Sequence, residues 1–319
     1  MNKYITGLSA VLVLQIIIGA GLYLNKQKTQ HNGENQTLLS LKSEDIDKLI
    51  IQEEGSSTTL LKKEGQWQLP ELQQLPADKA KLMALLSKLE NLQRGWPIAT
   101  TTSSHERFEV AESKYQRHLQ LYQGETLKAE LYIGTSPGFR KVHLRKAGQD
   151  AVYAAKLNTF ELPTDNIEWL DKTLLATSKA NRIKGADFIL EKQKDSWQLL
   201  GEKQSQLDQN AVQSLVLALS QLRIIDIEQN PTNNDATGRS ASTLKITQNN
   251  KVLTYTFVKT EQSSTVTRSD YPQTFSLAAL EYETIAGISL KKLLLKSEDS
   301  NDNKTVDSHE HTSGLPLSQ

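Results

Sequence analysis

The chain has 319 residues, with 37 lysines and arginines against 37 aspartates and glutamates. Because the formal charges cancel, the protein has no overall positive electrostatic field that would attract nucleic acid or a strongly acidic partner. The absence of cysteine excludes thiol nucleophiles, disulfides and cysteine-based metal centres. An apolar content of 37% permits packed cores but not a polytopic membrane protein.

The first predicted element is an uncharged apolar run from Ile5 to Leu24. A helix of about 20 residues matches a hydrocarbon core of about 30 Å. A cleaved signal peptide is the alternative, although its apolar region is usually only about 7–15 residues long. The run therefore predicts a single transmembrane helix over residues 5–24, behind a cytoplasmic stub of residues 1–4.

Both flanks of the globular region are polar. Residues 25–41 are expected to form a stalk, and residues 297–319 a disordered acidic tail. In that tail His309 and His311 are spaced i, i+2, which is a weak pattern for metal binding. A solvated tail is the preferred interpretation.

An internal repeat occupies the region between stalk and tail. At an offset of 130 residues, Trp67-Gln68-Leu69 recurs as Trp197-Gln198-Leu199, and Asp78 recurs as Asp208. After each aspartate, apolar residues follow one face of a helix: Leu82, Leu85, Leu86, Leu89 and Leu92, then Val212, Leu215, Val216, Leu219 and Leu222. The pattern predicts an amphipathic helix in each half, with the aspartate as its N-cap.

Alternating apolar positions predict strands around both helices. In the first half these are Leu49 to Glu54, Thr58 to Lys63 and Gln66 to Leu69 before the helix, with a turn predicted at Glu64-Gly65. Leu119 to Leu121 and Leu127 to Ile133 are the predicted strands after the helix. In the second half, Leu244 to Ile246 and the set Val252, Thr254, Thr256 and Val258 are the predicted counterparts.

These elements predict an α+β fold class: an N-terminal single transmembrane helix followed by two tandem repeats. Each repeat is expected to be an antiparallel sheet with one main amphipathic helix. The first would cover residues 42–176 and the second residues 177–296.

Several strings resemble a known family. They are SEDIDKLIIQ, GQWQL, LPADKAKLMALLSKLENL, VHLRKAGQDAVYAAKLNTFELP and WLDKTLL, all between Leu41 and Leu175. Together they resemble the domain-of-unknown-function family 4340 (DUF4340), in two tandem copies of which the second is looser. One departure is Phe108-Glu109-Val110, where members often carry Gly-Leu after an aromatic residue.

The resemblance implies a bacterial protein, tethered in the inner membrane by one N-terminal helix, with its repeats in the periplasm. Some members occur beside ABC-type transporter components of the gliding-motility kind. No catalytic residue is carried over from the family.

The segment Gly134-Thr135-Ser136-Pro137-Gly138 matches G-x-S-x-G, the nucleophile elbow of serine hydrolases. In that mechanism the backbone N–H after the serine helps to form the oxyanion hole, and Pro137 has none. The residues that follow alternate like a strand instead of starting a helix. The segment is therefore predicted to be a hairpin turn, with the hydrolase through Ser136 as a remote alternative.

Other chemistry-bearing patterns are weak. Ser242/Lys245 and Ser289/Lys292 match S-x-x-K without the companion motifs of that enzyme class. The histidines His105, His118 and His143 are isolated in sequence, although the last two are predicted on strands of one sheet. There is no P-loop and no dinucleotide fingerprint. We therefore predict no catalytic residues, no cofactor and no metal.

Beside the turn, Phe139, Arg140 and Lys141 place an aromatic ring and two cations on a predicted exposed loop, the candidate partner contact. The leading hypothesis is a membrane-anchored, extracytoplasmic, non-enzymatic interaction or scaffold protein, accessory to an ABC-type transporter or gliding-motility-like complex. It would contact the lipid bilayer through residues 5–24 and bind no nucleic acid.

The alternative is an extracytoplasmic module that binds a small molecule or glycan. Four aromatic residues are the candidate stacking surfaces for it: Trp96, Tyr115, Tyr122 and Tyr132.

Overall fold

The fold is taken from a computed structural model that describes Gln15, Ile18 and residues 37–201, 206–228 and 240–295. The chain divides into two compact units. The first is Met1–Leu175 with Arg223–Gln229, and the second is Ala176–Leu222 with Asn230–Gln319. Each unit is built around one large antiparallel sheet.

The first unit begins with a meander of strands. Its members are β1 (Lys48–Glu53), β2 (Ser56–Lys63), β3 (Gln66–Leu69) and the short β4 (Leu75–Pro76). Leu49 of β1 faces Leu60 of β2 across the ladder, and both are fully buried. Glu64 and Gly65, at φ of 51° and 79°, form the turn before β3. Two left-handed residues are what a two-residue hairpin turn requires, so the predicted turn is confirmed.

The main helix of the first unit, α1, spans Lys79–Glu90. It is confirmed with its N-cap, because Asp78 Oδ1 accepts a hydrogen bond from Lys81 N at 2.9 Å. Its buried residues are the predicted apolar stripe: Leu82, Leu85, Leu86 and Leu89. Burying a leucine side chain contributes about 1.5–3 kcal/mol, so this face fixes the helix in the core.

The rest of the first unit completes a nine-stranded sheet and adds a small hairpin. The elements are β5 (Pro97–Ala99), α2 (Ser104–Arg107), β6 (Val110–Ala111), β7 (Lys114–Tyr115), β8 (Arg117–Gln123), β9 (Thr126–Ile133), β10 (Val142–Lys146) and β11 (Val152–Ala155). The strand order is β4-β3-β2-β1-β8-β9-β10-β11-β5, with β6 and β7 paired separately. Single-turn 3-10 helices are Ser43–Asp45, Pro70–Leu72, Thr159–Glu161 and Asn166–Trp169.

The sheet of the first unit is buried on both faces at one end. Leu131 and Ile133 of β9 have no exposed surface and belong to the main core. Tyr132, between them, points to the opposite face because side chains alternate along a strand. There it packs with Val110 and Val152 in a second, smaller cluster. The segment from α2 to β7 supplies the cover of this outer face.

The second unit repeats the meander and the capped helix. Its elements are β12 (Ala180–Lys184), β13 (Ile189–Gln193), β14 (Ser196–Leu199), α3 (Gln209–Ser220), β16 (Ser240–Gln248), β17 (Lys251–Lys259), β18 (Ser264–Arg268), β19 (Tyr271–Leu277), α4 (Ala279–Ile285) and α5 (Leu290–Leu293). Its own strands lie in the order β14-β13-β12-β16-β17-β18-β19. A further strand, β15 (Ile224–Ile227), belongs to the segment grouped with the first unit, where Ile224 N donates to Lys172 O. The cap of α3 is confirmed, since Asp208 Oδ1 accepts from the N–H groups of Asn210 and Ala211.

The predicted buried face of β17 is wrong by one residue. Leu253, Tyr255 and Phe257 are buried, whereas Val252 is about half exposed. In the first unit the β8–β9 ladder has a register shift at Leu121/Tyr122, while β16 and β17 pair without interruption. The extra residue at that bulge shifts the alignment of the two halves by one residue. A shift of one residue exchanges the buried and exposed faces of a strand.

The predicted fold class is also wrong. The described residues are predominantly β, in large antiparallel sheets with helices packed beside them, and not the predicted α+β class. The sequence pattern missed the short strands β5, β6, β7 and β15, which carry too few residues for alternation to be visible. Among the described residues, no helix has the length and apolar character needed to cross a membrane.

Four predicted segments fall wholly or mostly on the undescribed part of the chain, beginning with the stub of residues 1–4. The predicted span, residues 5–24, lies outside the described residues except for Gln15 and Ile18, as do most of the stalk (25–41) and the whole tail (297–319).

The cap of α1 gives a test of the fold. We expect Asp78→Ala to lower the free energy of unfolding by about 1 kcal/mol, because the N–H of Lys81 loses its acceptor. Asp78→Asn keeps a capping oxygen and should cost only a small part of that. Urea denaturation of the full chain measures both, and equal losses in the two variants would contradict the role of the cap.

Candidate functional site

The Gly134–Gly138 segment connects two neighbouring strands. β9 ends at Ile133, β10 begins at Val142, and the two strands pair antiparallel. A nucleophile elbow requires a helix after the serine, whereas here the chain returns as a strand. The prediction of a hairpin connection is confirmed.

The hydroxyl group of Ser136 is used inside its own turn. Ser136 Oγ lies 2.7 Å from Gly138 O and 2.8 Å from Lys141 O, and it accepts a hydrogen bond from Gly138 N at 3.3 Å. Lys141 N also donates to Gly138 O at 3.2 Å. These bonds close the turn, so the serine fastens the loop and is bonded to backbone carbonyls instead of a histidine ring.

The candidate contact residues project from this closed turn. The side chain of Phe139 is 85% exposed. The Arg140 guanidinium carbon lies 4.8 Å from the centre of the Phe139 ring, a cation–π distance. Arg140 itself has φ of 55°, a conformation that costs a non-glycine residue about 1 kcal/mol. Lys141 is exposed and leads into β10.

Gly134 allows the loop to lie against the segment that covers the outer face. A Cβ atom at Gly134 would lie 1.9 Å from Phe108 O and 2.5 Å from Glu109 O. No side chain fits in that space, and Thr135 N donates to Phe108 O at 3.0 Å across the same contact. Glu109 has φ of 56°, so it takes the left-handed conformation that glycine prefers. This is the position where the family often carries glycine, and the turn forms here without it.

His143 is buried beneath the loop. Its Nδ1 lies 2.8 Å from Thr135 Oγ1, and its ring centre is 4.3 Å from that of Phe108. Burial lowers the pKa of His143 below its ordinary value of 6.5, and the charge of Arg107 acts in the same direction. A hydrogen bond to the backbone of Thr135 opposes this shift. His143 therefore acts as a neutral packing and hydrogen-bonding residue.

His118 lies on β8 and does not meet His143, since β9 separates β8 from β10. Its Nδ1 is 3.0 Å from Gln52 Oε1 and its Nε2 is 2.7 Å from Glu130 Oε1. Its ring stacks on Tyr132, with ring centres 4.7 Å apart. Both ring nitrogens are thus engaged by protein groups.

The four predicted stacking aromatics are only partly brought together. Tyr115 and Tyr132 lie 5.8 Å apart between ring centres in the cover of the outer face. Burial raises the pKa of Tyr132, so its hydroxyl group stays neutral. Tyr122 lies under the ammonium group of Lys48, and Trp96 is half exposed just before β5.

The remaining predicted patterns do not form sites. In the first S-x-x-K match, Ser242 and Lys245 point to opposite faces of β16, where Leu244 and Ile246 mark the buried side. In the second, Ser289 precedes α5 and receives the backbone N–H of Lys292 at its carbonyl oxygen. His309 and His311 lie outside the described residues. The described residues hold no group of three or more potential metal ligands.

The buried charge of Arg145 escaped the sequence analysis. Arg145 follows the core residue Leu144 on β10 and therefore points to the outer face, where a strand pattern predicts solvent. It is instead nearly fully buried, with its guanidinium carbon 4.6 Å from the centre of the Tyr132 ring. The segment between α1 and β8 forms the cover that buries Arg145. Because this segment has no clear apolar periodicity, its covering role is hard to see in the sequence.

His143 gives a pH test of this region. Because its folded pKa is lowered, the unfolded chain takes up the proton first as pH falls, so stability is lost below 6.5. We expect the unfolding free energy of the full chain to decrease from pH 7 toward about pH 5, before carboxylates titrate. His143→Asn removes this component and should give a flatter profile. An unchanged slope in the variant would show that His143 does not titrate as its burial requires.

Comparison with known proteins gives a family match. The model of the Domain of unknown function (DUF4340) matches residues 67–245, more than half of the chain. The match begins after Leu41, where the sequence resemblance starts, and it continues beyond Leu175 into the second half. No curated protein matches the chain, and no solved structure matches it either. The chain belongs to the DUF4340 family.

Proposed function

We propose that this chain is a non-enzymatic interaction protein that binds a partner protein through the loop Phe139–Lys141. The observation that carries the proposal is the exposed Phe139 ring with Arg140 stacked on it, at the tip of a turn closed by Ser136. Aromatic residues and arginine are enriched among the residues that dominate binding energy in protein interfaces.

The internal bonds of the turn support this role energetically. An interface loses free energy when it orders a flexible loop, by about 0.5–1.5 kcal/mol for each immobilised long side chain. The hydrogen bonds of Ser136 and the close approach of Gly134 to Phe108 hold this loop before any partner arrives. The left-handed backbone conformation of Arg140 costs conformational free energy, and the hydrogen bonds that close the turn offset this cost.

The partner class follows from the family resemblance. We propose an extracytoplasmic component of an ABC-type transporter or gliding-motility-like complex. The extracytoplasmic location itself stays a prediction.

We also propose that the two units are tandem copies of one domain. The shared local geometry supports this: a buried tryptophan on the third strand and an aspartate-capped main helix occur in both. In both units the residue before the cap forms an isolated β-bridge with a segment that closes the unit. Ala77 pairs with Leu170 in the first unit, and Leu207 pairs with Leu294 in the second.

The loop proposal is tested with two exposed phenylalanines. The full chain is used as bait on detergent-solubilised membranes of the source cells, as wild type, as Phe139→Ser and as Phe160→Ser. Phe160 is 87% exposed and lies in a different segment, so it is a matched control. We expect a protein that is captured by the wild type and Phe160→Ser but reduced about tenfold or more with Phe139→Ser, as for a hot-spot residue.

Thermal melting of the three baits should agree, because both side chains are solvent-exposed. Capture of the same proteins by Phe139→Ser as by Phe160→Ser would refute the loop as the contact. Recovery of the bait alone in all three cases would remove the basis for an interaction protein.

A further inference from the structure

A polar cleft of about 770 Å³ opens in the first unit. It lies among α2, the β6–β7 hairpin and the turn between β10 and β11. Its charged and titratable lining residues are His105, Glu106, Glu112, Arg145 and Asp150. Small-ligand sites in proteins commonly enclose about 300–1,000 Å³, so the cleft has the size of a metabolite site.

Arg145 forms the floor of this cleft. It is only 4% exposed. Its Nε donates to Val110 O at 2.7 Å, its Nη1 lies 3.3 Å from Gln149 O, and its flat face covers the Tyr132 ring. In the described part of the chain these are its partners, and none of them is a carboxylate. Among the described residues no acceptor is hydrogen-bonded to Nη2, and the side chain lines the cleft.

The second unit shows how the chain handles a buried arginine elsewhere. Arg268 is 6% exposed. Its Nε and Nη2 meet the two carboxylate oxygens of Asp270 at 2.6 and 3.1 Å, and its Nη1 lies 3.3 Å from the hydroxyl oxygen of Tyr255. A buried guanidinium is stabilised by a hydrogen-bonded counter-charge and is costly without one. Arg268 has that counter-charge within hydrogen-bond distance, whereas no carboxylate among the described residues is hydrogen-bonded to Arg145.

The walls of the cleft decide what kind of anion can approach Arg145. Three carboxylates line it, those of Glu106, Glu112 and Asp150, and all three residues are exposed. His105 is held by a hydrogen bond between its Nε2 and Asp150 O at 3.0 Å. A phosphate with about two negative charges would be repelled by these walls. In a ligand with one carboxylate and at least one ammonium group, the carboxylate is attracted by Arg145 and the ammonium group by the carboxylates of the walls.

We propose that this cleft binds a small zwitterionic amine, such as a free amino acid with a basic side chain. The ligand carboxylate accepts hydrogen bonds from the guanidinium of Arg145. The ligand ammonium groups lie against Glu106, Glu112 and Asp150. The proposal is independent of the loop Phe139–Lys141 and of any partner bound there.

The test is a titration of the full chain with free L-lysine at pH 7, followed by calorimetry or by ligand-observed NMR. Two analogues separate the halves of the ligand: cadaverine lacks the carboxylate, and hexanoate lacks both amines. We expect L-lysine to bind with Kd of about 1 mM or tighter, and each analogue to bind at least about tenfold more weakly, as the loss of one charge-assisted contact predicts.

Variants locate the site. Arg145→Gln should weaken L-lysine binding about tenfold or more. Glu112→Gln should weaken L-lysine, whereas hexanoate should bind equally or more tightly because one repelling carboxylate is removed. Glu112 is exposed, so its variant remains informative if Arg145→Gln does not fold. Arg94→Gln is the control, since it removes an exposed arginine that neither lines the cleft nor belongs to the loop Phe139–Lys141.

Two results would overturn the proposal. One is the absence of L-lysine binding at about 10 mM, which corresponds to a binding free energy weaker than about 3 kcal/mol. The other is binding of inorganic phosphate that is as tight as that of L-lysine and insensitive to Glu112→Gln, which would make the cleft a simple anion site. Neither result bears on capture through Phe139, so the two proposals fail separately.

Discussion

The architecture of both units depends on one backbone hydrogen bond at the start of the main helix. Asp78 N donates to Trp169 O at 2.7 Å in the first unit, and Asp208 N donates to Leu293 O at 2.8 Å in the second. The same aspartates cap their helices with their side chains, so a single residue joins the helix start to the segment that closes the unit. The closing segment is distant in sequence, and its attachment encloses the core between sheet and helix. Since a cap contributes about 1 kcal/mol, the aspartate fixes the geometry and the apolar stripe supplies the bulk of the stability.

In the first unit both faces of the sheet are covered at one end, which creates the two candidate surfaces. The helix side holds the main core. On the other side, the segment from α2 to β7 packs over Tyr132 and approaches the chain at Gly134. This second layer covers only one end of the sheet. Its contact with Gly134 holds the loop that carries Phe139, and its edge against the β10–β11 turn leaves the cleft above Arg145. Both candidate surfaces are thus consequences of one short covering segment.

The sequence was informative where periodicity and capping agree. The helix stripes, Asp78 and Asp208, the Glu64-Gly65 turn and the turn at Ser136 all follow from local rules, and each is found in the structure. The fold class was wrong because the short strands are fixed by pairing with distant neighbours, which leaves no local pattern. The predicted buried face of β17 was wrong because a bulge in the β8–β9 ladder shifts the alignment of the two halves by one residue. Arg145 was missed for the same kind of reason, since its burial is due to a covering segment far away in the chain.

In this protein the hydrogen-bond partners of a polar side chain distinguish structural residues from candidate functional ones more clearly than sequence motifs do. Ser136 has the sequence context of a nucleophile, yet its hydroxyl group lies against two carbonyls of its own turn, and this explains its place without any chemistry. Arg268 is buried and fully matched by a carboxylate and a hydroxyl group, so it too is explained by packing. Arg145 has no motif, but it is a buried cation whose partners in the described chain are two neutral carbonyls and a ring. Because no described carboxylate lies within hydrogen-bond distance of Arg145, a ligand carboxylate bound there would offset part of the desolvation cost of this cation.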